Sequence, residues 1–236
     1  MPGNIKILDP VLSSKIAAGE VIERPASILK ELLENAIDAG ATSVSVYLAE
    51  GGKRLIRVVD NGEGISREDA PLAFLRHATS KISKEDDLDN IVTLGFRGEA
   101  LASIAAVAKV VLNTKRRGEL SGTSVVIEGA GPPRITDDGC PEGTSIEVGD
   151  LFYNMPARLK FLRSNASEFG RSLDIFKRIA LINPDRRFRL THGTTKVIDA
   201  PQGDLRARIG DIFGRERLES LIKVDAPWMK GFIGRD

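Results

Sequence analysis

From residue 25 to residue 39 the chain steps between apolar and polar positions at intervals of three and four. Ile28, Leu29, Leu32, Leu33, Ala36 and Ile37 fall on one stripe, the spacing of a helix with one face on a core. Lys30, Glu31, Glu34, Asn35 and Asp38 fall on the other. Pro25 suits a first helical turn and Gly40 a helix end, so the boundaries agree with the pattern. Residues 43–48 then alternate with period two, which predicts a half-buried strand. Gly51-Gly52 marks a turn, and residues 55–59 read as the hairpin partner, running into Asp60-Asn-Gly-Glu-Gly-Ile65. Residues 66–98 carry no long regular pattern and are rich in polar groups. Inside a compact domain such a stretch is a lid or a disordered segment.

Further along, residues 99–109 predict a helix, and 109–114, 123–128 and 144–149 predict strands. Residues 167–182 predict a second amphipathic helix, with Phe169, Leu173, Phe176, Ile179 and Ala180 on its apolar face and Asn183-Pro184-Asp185 at its end. A hairpin follows across His192-Gly193, from 187–191 to 196–198. A boundary near residue 203 precedes a short helix at 205–213 and one or two strands. The residues beyond it are too few for a core of their own.

The polar stripe of the first helix has two readings, an ordinary wet face or a carboxylate and a carboxamide aimed at a metal-nucleotide. As a stabilising surface it is poorly arranged. Lys30 precedes Glu34, the weaker orientation for such a pair, and Glu34 and Asp38 are like charges four apart. Asp38 also sits near the negative end of the helix dipole. Each penalty is only some tenths of a kcal/mol, so the stripe by itself does not decide between the readings.

Composition narrows the choices. The chain has 236 residues, 42% hydrophobic and 28% charged, enough to bury a core in one large domain or one domain and part of another. One cysteine, Cys140, excludes a disulfide framework and any multi-thiolate metal site, and two histidines would leave a zinc site dependent on carboxylates. No apolar run reaches membrane-spanning length and no signal peptide opens the chain, so a cytoplasmic address is expected. The net charge of +1 conceals an imbalance. Residues 151–236 hold 17 basic against 10 acidic side chains, a hint of a polyanion-facing region.

Two motifs give the stripe something to face. Asp60-Asn-Gly-Glu-Gly-Ile65 follows a strand directly. Its glycines permit close approach of the backbone to a flat ligand, and Asp60 can accept a hydrogen bond from an exocyclic amine such as that of adenine. Leu94-Gly-Phe-Arg-Gly-Glu-Ala-Leu101 puts glycines immediately before a helix, where free amides and the dipole make a phosphate site. There is no GxxxxGK[ST] loop and no full dinucleotide fingerprint, so those nucleotide sites are excluded.

Taken in order, a helix with ELxxNxxDA, a strand ending in DNGxGI, a polar lid, a glycine-rich helix start and a Gly143-Thr144 strand resemble the GHKL ATPase superfamily. That superfamily includes gyrase B, a heat-shock chaperone and histidine kinases. Ile16-Ala-Ala-Gly-Glu-Val-Ile-Glu-Arg-Pro-Ala26, His77-Ala-Thr-Ser-Lys-Ile82, Gly95-Phe-Arg-Gly-Glu-Ala-Leu101 and Asn154-Met-Pro-Ala-Arg-Leu-Lys-Phe-Leu162 are similar to the MutL/PMS branch, the mismatch repair ATPases.

The resemblance implies an α/β fold, a two-layer sandwich of a mixed, mostly antiparallel sheet covered by helices. It places an ATPase domain over 1–203, with a lid at about 76–98, and the start of a second α/β domain over 204–236. It makes Glu31 the general base and Asn35 the Mg²⁺ ligand, with Asp38 nearby in a less certain role. Asp60 becomes the adenine reader, with Asn61, Gly62, Gly64 and Ile65 lining the base and Thr144 assisting. Thr79, Ser80 and Lys81 belong to the lid, and Leu94, Gly95, Phe96, Arg97, Gly98, Glu99, Ala100 and Leu101 to the phosphate loop. The cofactors implied are ATP and Mg²⁺. The partners implied are a second copy of the chain on ATP binding, DNA, the mismatch-recognition protein MutS and a downstream nuclease or helicase, with no membrane. In the family a lysine of the following domain reaches the γ-phosphate, so slow hydrolysis is expected of residues 1–236 by themselves. Two other readings remain, an ATP-binding DNA-associated scaffold with negligible hydrolysis and another GHKL ATPase.

Overall fold

In the computed structural model, residues 9–79, 98–129, 131–226 and 229–234 are described. Helix α1 (Pro10–Val21) and helix α2 (Pro25–Asp38) open the chain, followed by β1 (Ser43–Ala49), a 3-10 turn (Glu50–Gly52), β2 (Leu55–Asp60) and a single helical turn, α3 (Asp69–Leu72). Then come α4 (Ala100–Val107), β3 (Lys109–Lys115), β4 (Gly122–Glu128), β5 (Arg134–Asp138) and β6 (Gly143–Gly149). The later part holds α5 (Pro156–Phe161), α6 (Asn165–Ile182), β7 (Arg187–His192), β8 (Thr195–Ala200), α7 (Leu205–Phe213), α8 (Arg215–Glu219), β9 (Leu221–Ala226) and β10 (Met229–Gly234).

The period-two pattern explains how these pieces stack. Val44, Val46 and Leu48 of β1, Ile56 and Val58 of β2, Val110 and Leu112 of β3, and Ile146 and Val148 of β6 are all buried. Their neighbours on the opposite parity, among them Ser45, Arg57, Val111 and Glu147, are half-buried or exposed. One face of the sheet therefore meets a helical layer and the other does not. Eight strands run in the order β5-β4-β3-β6-β2-β1-β7-β8, with β9 and β10 as a separate hairpin. Every pairing in the large sheet is antiparallel except β1 with β7. In the helical layer α1 packs on α4 and α2 on α6, while α7 lies against α6 and β8.

The predicted elements fall close to where periodicity put them, with instructive exceptions. The helix expected over 99–109 ends at Val107, and Lys109 already opens β3. Ser103 to Val107 are all buried, and Ala108 is extended at φ −145°, so the alternation of Val110, Leu112 and Thr114 takes over at once. The Gly51-Gly52 turn is a 3-10 turn with both glycines at positive φ, 71° and 92°. Helices α1, α5 and α8 and strand β5 were not anticipated. Helix α1 spans 12 residues, but its apolar and polar positions do not fall on separate faces, α5 and α8 are short, and β5 is exposed along most of its length, so each carries little amphipathic signal.

Three arginines of the basic later region turn inward. Arg158 donates to Gly19 O and Ile22 O at the end of α1, the latter at 3.3 Å. Arg186 donates to Ile37 O at 3.3 Å and Ala41 O at 2.5 Å, just past α2. Arg208 is 1% exposed and reaches carbonyls around the α6–β7 turn. Arg187 and Lys196 meanwhile pair with Asp199. Much of the local positive excess is thus committed within the fold, which a count of charges alone does not reveal.

Candidate functional site

Helix α2 is amphipathic as its sequence requires. Ile28, Leu29 and Leu33 are fully buried, Leu32 and Ala36 nearly so, and Ile37 is half-covered. The polar stripe is not a wet face, since Glu31, Glu34, Asn35 and Asp38 are each half-buried and only Lys30 is exposed. Lys30 Nζ lies 2.8 Å from Glu34 Oε2 and 3.6 Å from Glu31 Oε1. The weakly oriented Lys30–Glu34 pair is therefore formed, and Glu34 has an ordinary helix-stabilising contact. Glu31 and Asn35 lie one turn apart on this stripe, two half-buried oxygen-bearing side chains side by side.

The α2 terminus is locked to the DNG loop. Gly40 turns the chain at φ 70°. Glu63 N–H donates to Ala39 O at 3.0 Å, and a Cβ on Gly62 would come within 2.7 Å of that same carbonyl oxygen. Asn61 Oδ1 accepts from the N–H groups of Thr42 and Ser43 at 2.9 and 2.8 Å, and its Nδ2 donates to Thr42 Oγ1 at 2.9 Å. The Asn61 side chain thus ties the start of β1 to the end of β2. Gly64, at φ 72°, lies against the Lys115 carbonyl, which a Cβ would overlap. Besides leaving room for a flat ligand, this glycine is required by close backbone packing against β3.

Asp60 closes β2 at the rim of the helix-covered face. Loss of solvent pushes its carboxyl up to about 6, even though the N–H groups of Gly62 and Thr144 donate to it. The Gly62 contact is 2.8 Å. Asp60 is opposite Thr144 in the β2–β6 ladder, Thr144 is opposite Thr114 in β6–β3, and Thr114 is opposite Thr123 in β3–β4. Four strands therefore contribute one rung of polar side chains where the rungs below it are Val, Ile and Leu. Thr114, Thr123 and Thr144 are 0%, 3% and 9% exposed. Thr114 Oγ1 has three neighbours, Ile65 N at 2.9 Å, Thr144 Oγ1 at 3.0 Å and Gly143 O at 3.1 Å. Sequence reading reached Thr144 and Ile65 but missed Thr114. The signal was a hydroxyl at the inward parity of an otherwise apolar strand.

On the other side of the site, Gly98, at φ 61°, packs against the backbone of Ala78, and Glu99 Oε1 lies 3.3 Å from His77 Nδ1. The described chain on either side of residues 80–97 is thus brought together beside the start of α4. Glu99, at the N-cap of α4, makes no side-chain capping hydrogen bond, so the first-turn amides around Ala100 and Leu101 are a candidate anion site. Thr79, Gly98, Glu99, Ala100 and Leu101 lie in this neighbourhood. Ser80, Lys81, Leu94, Gly95, Phe96 and Arg97, and most of the lid expected at 76–98, lie outside the described residues.

The described residues hold no cluster of three or more His, Cys, Asp or Glu side chains that would cage a metal. Magnesium asks for less. It takes few protein oxygens and fills its octahedron with water and phosphate oxygens. A half-buried Asn35 carboxamide next to the Glu31 carboxylate fits that donor set. Cys140 lies outside this constellation, and its thiol is pushed up by burial and by Asp138, the opposite of an activated nucleophile. No described helix is long and apolar enough to cross a membrane.

The chain is similar to known proteins over most of its length. Residues 23–130 match a family described as histidine kinase-, DNA gyrase B- and HSP90-like ATPase. The chain is 50% identical to the DNA mismatch repair protein MutL of Desulforamulus reducens over 94% of its length, and 47% identical to that of Parabacteroides distasonis over 98%. It spans only 35% and 38% of those two relatives. Among solved structures it is similar to the Aquifex aeolicus MutL ATPase domain complexed with ADP, with a TM-score of 0.68 and 35% identity, covering 82% of this chain and 70% of that one.

Proposed function

The chain belongs to the MutL family of DNA mismatch repair proteins and carries its GHKL-type ATPase fold, and from that premise we propose that it binds and hydrolyses ATP at the face shared by α2, the DNG loop and the start of α4. The observation that carries the reading is the pairing of a half-buried Glu31–Asn35 stripe with Asp60, a carboxyl set at the sheet's polar rung and locked to the same helix end. The ADP named with the Aquifex aeolicus relative supports a nucleotide ligand.

In this reading Asp60 accepts from the exocyclic amine of adenine, with Gly62, Gly64 and Ile65 walling the base and Thr144 beside it. The amides from Gly98 to Leu101 hold phosphate oxygens. Glu31 takes the proton of the attacking water, and Asn35 holds Mg²⁺, which when bound neutralises charge on the phosphates. Asp38, half-buried one turn beyond Glu34, orients groups around the site. Residues 1–203 form the ATPase unit and 204–236 open the next domain. What supports a second unit is that β9 and β10 share no ladder with the large sheet, while α7 still packs on α6 and β8. In the whole protein, ATP would order the lid, drive pairing of two copies and couple mismatch recognition by MutS to a downstream nuclease or helicase.

The adenine assignment has a pH signature. A carboxyl held up at about 6 is more protonated in the folded than in the unfolded chain, so apo stability falls as pH rises from about 4 to 6 and then levels. Adenine needs the ionised form, so ATP affinity should run the other way. Isothermal titration is expected to give a flat affinity from pH 7 to 8 and a loss approaching tenfold per unit below about 6. Asp60→Asn, which removes the titrating group and replaces one of its two acceptor oxygens with a donor, should abolish the pH step and weaken binding. An affinity unchanged between pH 5 and 7.5 would remove Asp60 from the base.

DNA binding rests on the family and on the basic excess of residues 151–236, part of which is spent internally. If phosphates dominate the contact, affinity for duplex DNA should fall steeply between 50 and 200 mM salt by fluorescence anisotropy. A salt-independent affinity would count against it.

A further inference from the structure

Thr114 has one hydroxyl proton and two lone pairs, and three partners within 3.1 Å. Ile65 N–H can only donate, and Gly143 C=O can only accept. Thr144 Oγ1 can do either. All three contacts are hydrogen bonds in one arrangement only. Thr114 donates to Gly143 O, accepts from Ile65 N–H, and takes the Thr144 proton on its second lone pair. Thr114 is wholly buried, where an unmade hydrogen bond is costly, so this arrangement is fixed.

We infer that Thr114 is a specificity-determining positioning residue that locks the Thr144 hydroxyl as an acceptor, so that the base-reading edge of the site selects a donor-bearing purine over one presenting a carbonyl. The inference rests on the adenine reading of Asp60 given above. With the Thr144 proton drawn back into the sheet, its remaining lone pairs are what it can offer toward the Asp60 side. Asp60, once ionised, offers only lone pairs as well. The two groups sit on one rung and offer only acceptors, so neither can donate to the O6 carbonyl that guanine carries where adenine has its exocyclic amine. Ile65, which lies in the loop that lines the base, is held to the same hydroxyl, so one buried side chain sets both the loop and the edge.

The test is Thr114→Val, which preserves shape and removes the hydroxyl. The Thr144 proton then loses its acceptor and becomes free to turn outward and donate to a carbonyl. Titration calorimetry of this chain with ATP and with GTP should show the ATP-to-GTP affinity ratio falling by about tenfold in Thr114→Val. Thr114→Ser should restore it. The ratio is taken on one sample, so a partly unfolded variant does not distort it, and a purely structural loss would weaken both nucleotides together. A wild-type preference for ATP with an unchanged ratio in Thr114→Val overturns the role of Thr114 alone. If wild type binds ATP and GTP equally, or neither, the adenine reading of Asp60 fails and this inference falls with it.

Discussion

Replacing Glu31 with alanine is expected to lower single-turnover ATP hydrolysis by about a hundred- to ten-thousand-fold, the range for losing a positioned general base, while ATP binding changes by no more than a few-fold. The separation follows from where the residue stands. Glu31 is on the polar stripe of α2, not on the loop and rung proposed to hold the base, and its contact with Lys30 at 3.6 Å is a partly exposed one that contributes little to folding. The helix keeps its buried stripe, its Pro25 start and its clamp to Arg186, so Asn35 should stay in position. Quenched-flow hydrolysis with wild type and variant, alongside nucleotide titration, checks both halves. Equal slow rates with intact binding would leave the chain as an ATP-binding scaffold and remove the catalytic claim for Glu31. A loss of binding as large as the loss of rate would instead make Glu31 part of the nucleotide's seat.

The largest expected effect on stability is at Arg208. Its guanidinium donates to Ala180 O, to Asn183 O at 3.1 Å, Pro184 O at 3.2 Å, Arg186 O at 2.5 Å and Pro201 O at 3.0 Å, and lies over the Phe188 ring at 5.4 Å. Five carbonyls converge on one fork of N–H groups, and those carbonyls stitch the end of α6, the start of β7 and the exit of β8 together. Arg208→Met fills comparable space but leaves several buried acceptors unmet, at a cost of about 3–5 kcal/mol. For a chain of this size that is a fall in Tm of roughly 10 °C. Arg208→Lys should do little better, because an ammonium cannot span five acceptors in a planar fork. Urea denaturation measures the difference, and a loss under about 1 kcal/mol would mean the carbonyls are readily rehydrated. The effect should reach the site as well. Arg186 lies in the stitched turn and donates to Ile37 O and Ala41 O, so loosening the turn releases the end of the helix that carries Glu31 and Asn35.

Local patterns made the helices and strands around the site legible. The α2 stripe, the β1–β2 hairpin, the amphipathic α6 and the β7–β8 hairpin are written in periods of 3.6 and 2, with Pro, Gly and Asn at their ends, and they appear within a few residues of the expected bounds. The faces that Glu31, Asn35 and Asp60 take were also legible, because the period of each helix or strand fixes them, whereas the roles proposed for these residues rest on the family resemblance. The α4 terminus was less legible. A buried helix leading straight into a buried strand offers no polar contrast to mark where one period gives way to the other.

What the sequence determined by itself, then, is which segments are helix or strand, which of their faces is polar, and the family they resemble. Only the tertiary structure decided which polar faces meet. The rung of Asp60, Thr144, Thr114 and Thr123 is assembled from four strands by hydrogen-bond registers that no local pattern encodes. The parallel pairing of β1 with β7 and the inward turn of Arg158, Arg186 and Arg208 are of the same kind. The physical reason is that periodicity reports how each segment divides itself between water and core, whereas register, clamps and proton direction come from contacts between residues far apart in the chain. Those contacts exist only once the whole sheet has formed.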